Sequence, residues 1–125
     1  MLSVSPYAAE RIPGLFAINE RVILSGKWKY GDFAFCPVAA TNVGDIHLTH
    51  EPMLMTNQPT QSAFSTPSSV EYTGGKTVEK GSELGVFRLG STIVLLFECP
   101  EFQFSCEIGK KVKVGESLGV ITEKK

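Results

Sequence analysis

Two segments of this 125-residue chain are versions of one another, and no other feature constrains the fold as tightly. "GKTVEKGSELGVF" (75–87) recurs as "GKKVKVGESLGVI" (109–121), 34 residues further on. Gly75/Gly109, Lys76/Lys110, Val78/Val112, Gly81/Gly115, Leu84/Leu118, Gly85/Gly119 and Val86/Val120 are identical pairs. Each copy reads as a short strand, a glycine turn and a second strand. Two copies are too few to stack as a solenoid. They fit a pseudo-symmetric pair of hairpins, each giving an edge to one shared core. The expected fold is therefore mainly β: a β-sandwich of barrel-sandwich type preceded by a short helical turn.

Composition agrees. Twelve glycines, seven prolines and eight phenylalanines favour turns and strands over helices. The length allows one domain, residues 1–125, with a thin core. A formal net charge of -1 offers no basic footprint for nucleic acid. Cys36, Cys99 and Cys106 form no C-x-x-C pair and are odd in number. They read as reduced, buried thiols of an intracellular or organellar protein, with one disulfide as the alternative. The longest apolar run, Ile93 to Phe97, is strand-sized and far short of the ~20 residues of a bilayer-spanning helix. The opening "MLSVSPYAAERIPGLF" lacks the basic start and apolar middle of a secretory signal. It reads like the middle of a longer chain, so Met1 is not expected to be the natural start.

Along the chain, Ser5 to Arg11 suits a helical turn ended by Pro13-Gly14. "RVILSGKW" suits a strand followed by a Ser-Gly turn. "DFAFCPVAATNVGDIHLTH" suits a strand that Pro37 breaks, with a bend or bulge at Asn42 and Gly44. Glu51 to Ser69, rich in Pro, Ser and Thr, suits a long surface loop. Phe33/Phe35 and Phe102/Phe104 are i, i+2 pairs with both rings on one strand face, expected to face the core, with an acyl-chain groove as the alternative for one pair.

One stretch, "KGSELGVFRLGSTIVLLFE" (80–98), sets Gly90 and Ser91 at the lip of a strand with no polar turn between. Taken alone, "LGS" is a plain Gly-Ser turn. In context it resembles the "K-G-x-E-x-G-x-F-x-L-G-S-T-x-V-x-L-F-E" segment of phosphatidylserine decarboxylases. "PGLFAINERVIL" resembles their "P-N-L-F-x-x-N-E-R-V", "VAATNVGDI" their "V-G-A-T-N-V-G-S-I", and "VKVGESLGVI" their closing hairpin. The similarity covers nearly the whole chain in order, and "STIVLLFECPEFQF" is nearest to the mitochondrial, animal-type branch. Ala39 stands where that family usually has glycine, and Asp45 where it usually has serine.

The resemblance implies a division at Gly90/Ser91. Residues 1–90 would be the C-terminal part of a β subunit, and residues 91–125 an α subunit. Ser91 would act first as self-cleavage nucleophile on the Gly90 carbonyl, then as the source of a pyruvoyl group that forms a Schiff base with substrate. No metal is implied. The substrate would be phosphatidylserine, and the products phosphatidylethanolamine and CO2. The partners would be a membrane surface and an upstream part of the proenzyme supplying a relay histidine and aspartate. Attachment to the mitochondrial inner membrane, or to a bacterial cell membrane, would come from a segment outside this chain.

Chemistry explains why such residues are needed. Decarboxylating an α-amino acid leaves a carbanion that no ordinary side chain stabilises, so a carbonyl must serve as electron sink. A glycine before the serine leaves its carbonyl open to attack and tolerates strain. A serine hydroxyl needs a base. His47 and His50 would point to opposite faces of a strand, so they form no shared metal site. They read as surface residues, with contact to a substrate phosphate as the alternative. Asp32, Asp45 and Glu51 read as turn and edge residues. Arg21 is open to two readings, a salt bridge or a ligand for phosphate or carboxylate. The fragment by itself is expected to process poorly.

Two competing readings belong to other classes. One is a non-catalytic remnant of the same family that binds lipid or a partner. The other is a swinging-arm carrier, since the hairpins also resemble lipoyl and biotinyl domains. Lys76 and Lys110 lack the Met-Lys-Met context of a biotinylated lysine.

Overall fold

The two matched segments end in turns built alike. Glu79 to Ser82 closes on a hydrogen bond from the Ser82 amide to the Glu79 carbonyl (3.1 Å), and Lys113 to Glu116 on its counterpart (3.0 Å). Gly81 and Gly115 hold the third position of these turns at φ 87° and 82°, a conformation that side chains resist. The computed structural model describes residues 1–41, 43, 45–57, 75–88 and 90–123. The expected bend at Asn42 and Gly44 and the loop beyond residue 57 lie outside the described residues.

Nine elements follow in chain order: α1 (Pro6–Arg11), α2 (Leu15–Ile18), β1 (Leu24–Trp28), β2 (Gly31–Val38), β3 (Ile46–Leu48), β4 (Gly85–Phe87), β5 (Thr92–Phe97), β6 (Phe102–Phe104) and β7 (Gly119–Ile121). They form three antiparallel sheets, β1-β2-β5, β3-β4 and β6-β7, so the described fold is mainly β.

The repeat is real, but its internal pairing differs from the expectation. Residues 75–79 and 110–113 are not strands, so Lys76 and Lys110 do not begin strands. Each copy's one strand pairs instead with a strand further back in the chain, β4 with β3 and β7 with β6. The registers are equivalent: Leu48↔Gly85, His47↔Val86 and Ile46↔Phe87 match Phe104↔Gly119, Gln103↔Val120 and Phe102↔Ile121. The flanking bonds are equivalent too. Thr49 donates to the Leu84 carbonyl (2.9 Å) as Ser105 does to that of Leu118 (3.0 Å). The partner strands share no sequence, because a backbone ladder asks only for extended geometry.

Two further expectations are corrected. Ser25-Gly26 is no turn: both residues lie inside β1, and Gly26 pairs with Phe33. The hairpin turns at Lys29-Tyr30, where Trp28↔Gly31 ends the ladder. Nor does Pro37 break its strand. Its nitrogen cannot return the bond that its carbonyl accepts from the Val22 amide (3.1 Å), so the β1 ladder lapses after Leu24↔Phe35 and resumes as the Arg21↔Val38 bridge. Pairing with β5 runs on through Pro37↔Ile93. On the N-terminal side, α1 forms where expected and is capped by Ser5, whose hydroxyl accepts from Ala8 N (3.3 Å). The short α2 beyond Gly14 was not foreseen.

The core is the 38–48 segment. Val38, Ala39, Ala40, Val43, Ile46 and Leu48, with Leu15, are the buried apolar residues. Ala39 packs with Ile46 and Leu48, and Val22, Leu24, Leu54 and Phe87 close over them. The methyl group at 39 is thus filled space rather than an obstruction. Thr56, expected in a surface loop, is buried and straps Ile46, accepting from its amide (2.8 Å). A second, aromatic layer runs from Trp28 through Phe33 and Phe97 to Phe102 and Phe104. Phe33 and Phe102 are half-buried there and Phe35 is half-buried further along β2, whereas Phe104 is exposed.

Candidate active site

Ser91 lies one residue before β5, whose register sets Thr92 opposite Val38. The pairing carries the Ser91 hydroxyl onto the Val38 carbonyl, to which it donates a short hydrogen bond. Val38 is fully buried and Ser91 half-buried, so the acceptor is fixed by the core. Gly90 is exposed. Its φ is not in the left-handed region, and among the described residues a Cβ built on it meets no atom within 4 Å, so neither a left-handed turn nor a described neighbour requires a glycine there. Leu89 lies outside the described residues.

Ahead of this pair, Arg88 joins the "GDI" segment. Its guanidinium Nε lies 2.8 Å from an Asp45 carboxylate oxygen, and its amide donates to the Asp45 carbonyl (3.5 Å). Asp45, expected as an edge residue, thus ties the approach to Gly90-Ser91 back to β3. Asp32 pairs across the hairpin with Lys27 and raises that lysine's pKa, first by hydrogen bonding.

His47 is exposed on β3 and His50 sits in the turn beyond it, so the two are not on one strand. Among the described residues neither is hydrogen-bonded to the Ser91 hydroxyl. Arg21 makes no salt bridge among the described residues. Its guanidinium donates to the carbonyls of Ala17 (2.7 Å) and Asn19 (3.3 Å), which are left unpaired at the end of α2. The nearby Asn19 is the polar residue that sequence reasoning missed. Its buried amide exchanges two 2.8 Å hydrogen bonds with the Leu2 backbone. An asparagine beside Glu20 and Arg21 gave no signal that it, rather than the charges, would be internal.

Opposed residues of an antiparallel pair share a face. Ala34, Cys36 and Val38 of β2 therefore lie beside Leu96, Val94 and Thr92 of β5. Over this face, bounded by Phe16, Arg21 and Ile23, runs an apolar groove of about 270 Å³ that includes Val38. It lies on the face opposite Phe33 and Phe35. Burial pushes the Cys36 thiol up, more than the Arg21 charge lowers it, so Cys36 is a neutral wall rather than a nucleophile. The three cysteines are free and half-buried rather than buried.

Lys76 and Lys110 do not stand as carrier tips. Lys76 Nζ donates to the His50 carbonyl (2.7 Å), and Lys110 lies 3.8 Å from Glu107. Among the described residues, no helix is long and apolar enough to cross a membrane.

A mainly-β chain with a serine fixed on a core carbonyl beside an apolar groove defines a class by geometry, and comparison supplies the family. The family described as phosphatidylserine decarboxylase matches residues 1–120. The chain is 44% identical to the mitochondrial phosphatidylserine decarboxylase proenzyme 1 of Saccharomyces cerevisiae over 97% of its length. It is 45% identical to the mitochondrial proenzyme of Pongo abelii over 95%, and 43% identical to that of Caenorhabditis elegans over 94%. This chain belongs to the phosphatidylserine decarboxylase family. It spans only 26%, 30% and 31% of those three relatives. No solved structure matches it.

Proposed function

We propose that this chain is the self-processing, pyruvoyl-forming part of a mitochondrial phosphatidylserine decarboxylase, divided between Gly90 and Ser91 into the end of a β subunit (1–90) and an α subunit (91–125). The observation that carries the reading is the Ser91 hydroxyl held on the Val38 carbonyl, next to a glycine that no described neighbour requires. A glycine that neither a turn nor close packing requires is explained if its carbonyl is a reacting group.

In the processing step, Ser91 Oγ bonds to the Gly90 carbonyl carbon. The Gly90–Ser91 C–N bond breaks, the proton passing to the released amine, and an ester replaces the amide. Elimination then cleaves the Cβ–O bond of residue 91, freeing the Gly90 carboxylate and leaving dehydroalanine. Water converts this to a keto group with loss of ammonia. A base must take the hydroxyl proton, and a carbonyl such as that of Val38 can orient it but not accept it. The base and its carboxylate partner are assigned to the part of the proenzyme beyond this chain.

Ser91 fits the origin of a pyruvoyl group, because its hydroxyl is present, its strand is anchored on β2, and its preceding residue is exposed. When formed, that group supplies the electron sink which decarboxylation requires. The chain's own contribution is positional. The β2–β5 ladder holds residue 91 still, and the apolar groove ending at Val38 suits a substrate with hydrocarbon chains.

Intact-mass measurement tests the proposal. Supplied with the upstream part of the proenzyme, the chain is expected to yield a fragment ending at Gly90 and one beginning with a keto-blocked residue 91. Ser91→Ala is expected to stay whole. An uncleaved chain with an unmodified Ser91 under these conditions overturns the reading and leaves a non-catalytic lipid- or partner-binding remnant.

A further inference from the structure

The second copy of the repeat, with the isoleucine just before it, carries side chains that the turn's own geometry does not use. Ile108 and Val114 are completely exposed, at 105% and 108% of the reference accessibility. Between them stand Lys110, Lys111 and Lys113. Lys110 has a long, exposed contact to Glu107, and neither Lys111 nor Lys113 has an ion-pair partner among the described residues. The loop is not loosely drawn. The Lys110 amide donates to the Glu107 carbonyl (3.2 Å), and the Lys113 amide to the Glu116 carboxylate (2.7 Å).

The first copy is an internal control. It makes the same four-residue turn with the same glycine conformation. Yet it carries Thr77, Glu79 and Lys80 where the second has Lys111, Lys113 and Val114. Gly75 to Gly85 holds two lysines and two glutamates, while Gly109 to Gly119 holds three lysines and one glutamate. The turn therefore needs neither the extra positive charge nor the exposed valine.

We propose that the Glu107–Glu116 loop is a contact for an anionic bilayer surface, with Ile108 and Val114 entering between the head groups and the three lysines lying against lipid phosphates. Apolar tips ringed by cations bind such surfaces by adding hydrophobic and electrostatic terms. A bilayer is favoured over a protein because two separated aliphatic tips need no matching pocket in a fluid surface. The inference rests on the preceding functional reading only for the expectation that the protein works at a membrane.

Flotation of the protein, produced with its upstream part but without the segment expected to attach it to the membrane, with phosphatidylcholine vesicles that contain or lack phosphatidylglycerol tests it with an anionic lipid that is not the substrate. Wild type is expected to float with the anionic vesicles and to be released by salt. Ile108→Ser with Val114→Ser is expected to lower partitioning about tenfold. Lys110→Gln, Lys111→Gln and Lys113→Gln together are expected to lower it about tenfold or more, and to remove the preference for phosphatidylglycerol. Equal flotation of wild type and both variants overturns the proposal. So does resistance of Lys111 to trypsin in lipid-free protein, since a protein surface would then cover the loop. Turnover of detergent-dispersed phosphatidylserine is expected to be unchanged in both variants. Wild type that floats as described but neither cleaves nor turns over that lipid keeps the docking loop and removes the enzymatic reading.

Discussion

A Cβ placed on Gly85 would lie 2.2 Å from the His47 carbonyl oxygen across the β3–β4 ladder. Gly119 stands in the same relation to Gln103, at 2.4 Å, with the Phe102 ring at 2.5 Å. Both obstacles include backbone, which cannot swing away. Gly85→Ala and Gly119→Ala are each expected to destabilise the fold by about 2 kcal/mol, the range of overpacking. Gly26→Ala, where a Cβ meets nothing, is expected to change stability by less than about 1 kcal/mol. Urea unfolding of the three variants makes the comparison.

Gly90 belongs with Gly26 rather than Gly85. Gly90→Ala is expected to leave the unfolding midpoint within about 0.5 kcal/mol of wild type. Its cleaved fraction, measured by mass after co-production with the upstream segment, is nevertheless expected to fall, because the methyl group crowds the attacked carbonyl. Unfolding of this variant would show that Gly90 is structural after all.

Asn19 is 1% exposed, and its amide satisfies both backbone groups of Leu2. Asn19→Leu would leave a donor and an acceptor unpaired beside a buried apolar side chain. A loss of about 2–4 kcal/mol is expected. Asn19→Asp is expected to cost more at neutral pH than in acid, since an ionised carboxylate would face the Leu2 carbonyl whereas a protonated one can donate to it.

Glu123 follows β7 and reaches the β1–β2 turn, 2.6 Å from Lys29 and 2.7 Å from the Tyr30 hydroxyl. The hydrogen bond from Lys29, then that from Tyr30, holds the Glu123 carboxyl below the usual range. A depressed folded-state pKa contributes stability that is present above the ordinary glutamate value and lost as pH falls through the folded-state value. Hydrogen-exchange protection at 119–123, taken relative to the intrinsic rate at each pH, is thus expected to fall on acidification below the ordinary carboxylate range and to hold between neutral pH and pH 6. Glu123→Gln is expected to abolish that pH dependence. Equal protection across the acidic range would show that this contact does not hold the C-terminal strand.

Much of the fold was legible because glycine and apolar residues are placed by local rules. Gly81 and Gly115 mark turns because few residues accept their φ, and Ser5 caps α1 within its own first turn. What was not legible depended on distant neighbours. Ser25-Gly26 looks like a turn until Phe33 and Ala34 pair with it, and Pro37 looks like a break until β5 proves to pair straight through it. The copies of the repeat were visible, but the strands that complete them, β3 and β6, have no common sequence to find. At the site, the Gly90-Ser91 pair stood out by its resemblance, whereas the part of Val38 arises from a backbone carbonyl, which no side-chain identity announces.

The order of residues alone determined the family, the doubled glycine turn with its following strand and the serine at the head of β5, since these rest on identity and spacing. Only the tertiary structure decided what that serine touches, which glycines are obligatory and which loop carries unused apolar and basic side chains. The physical reason is that carbonyl positions and close approaches are set by strand register. Register is fixed by the packing of Val38, Ile46 and Leu48, residues far in sequence from Ser91.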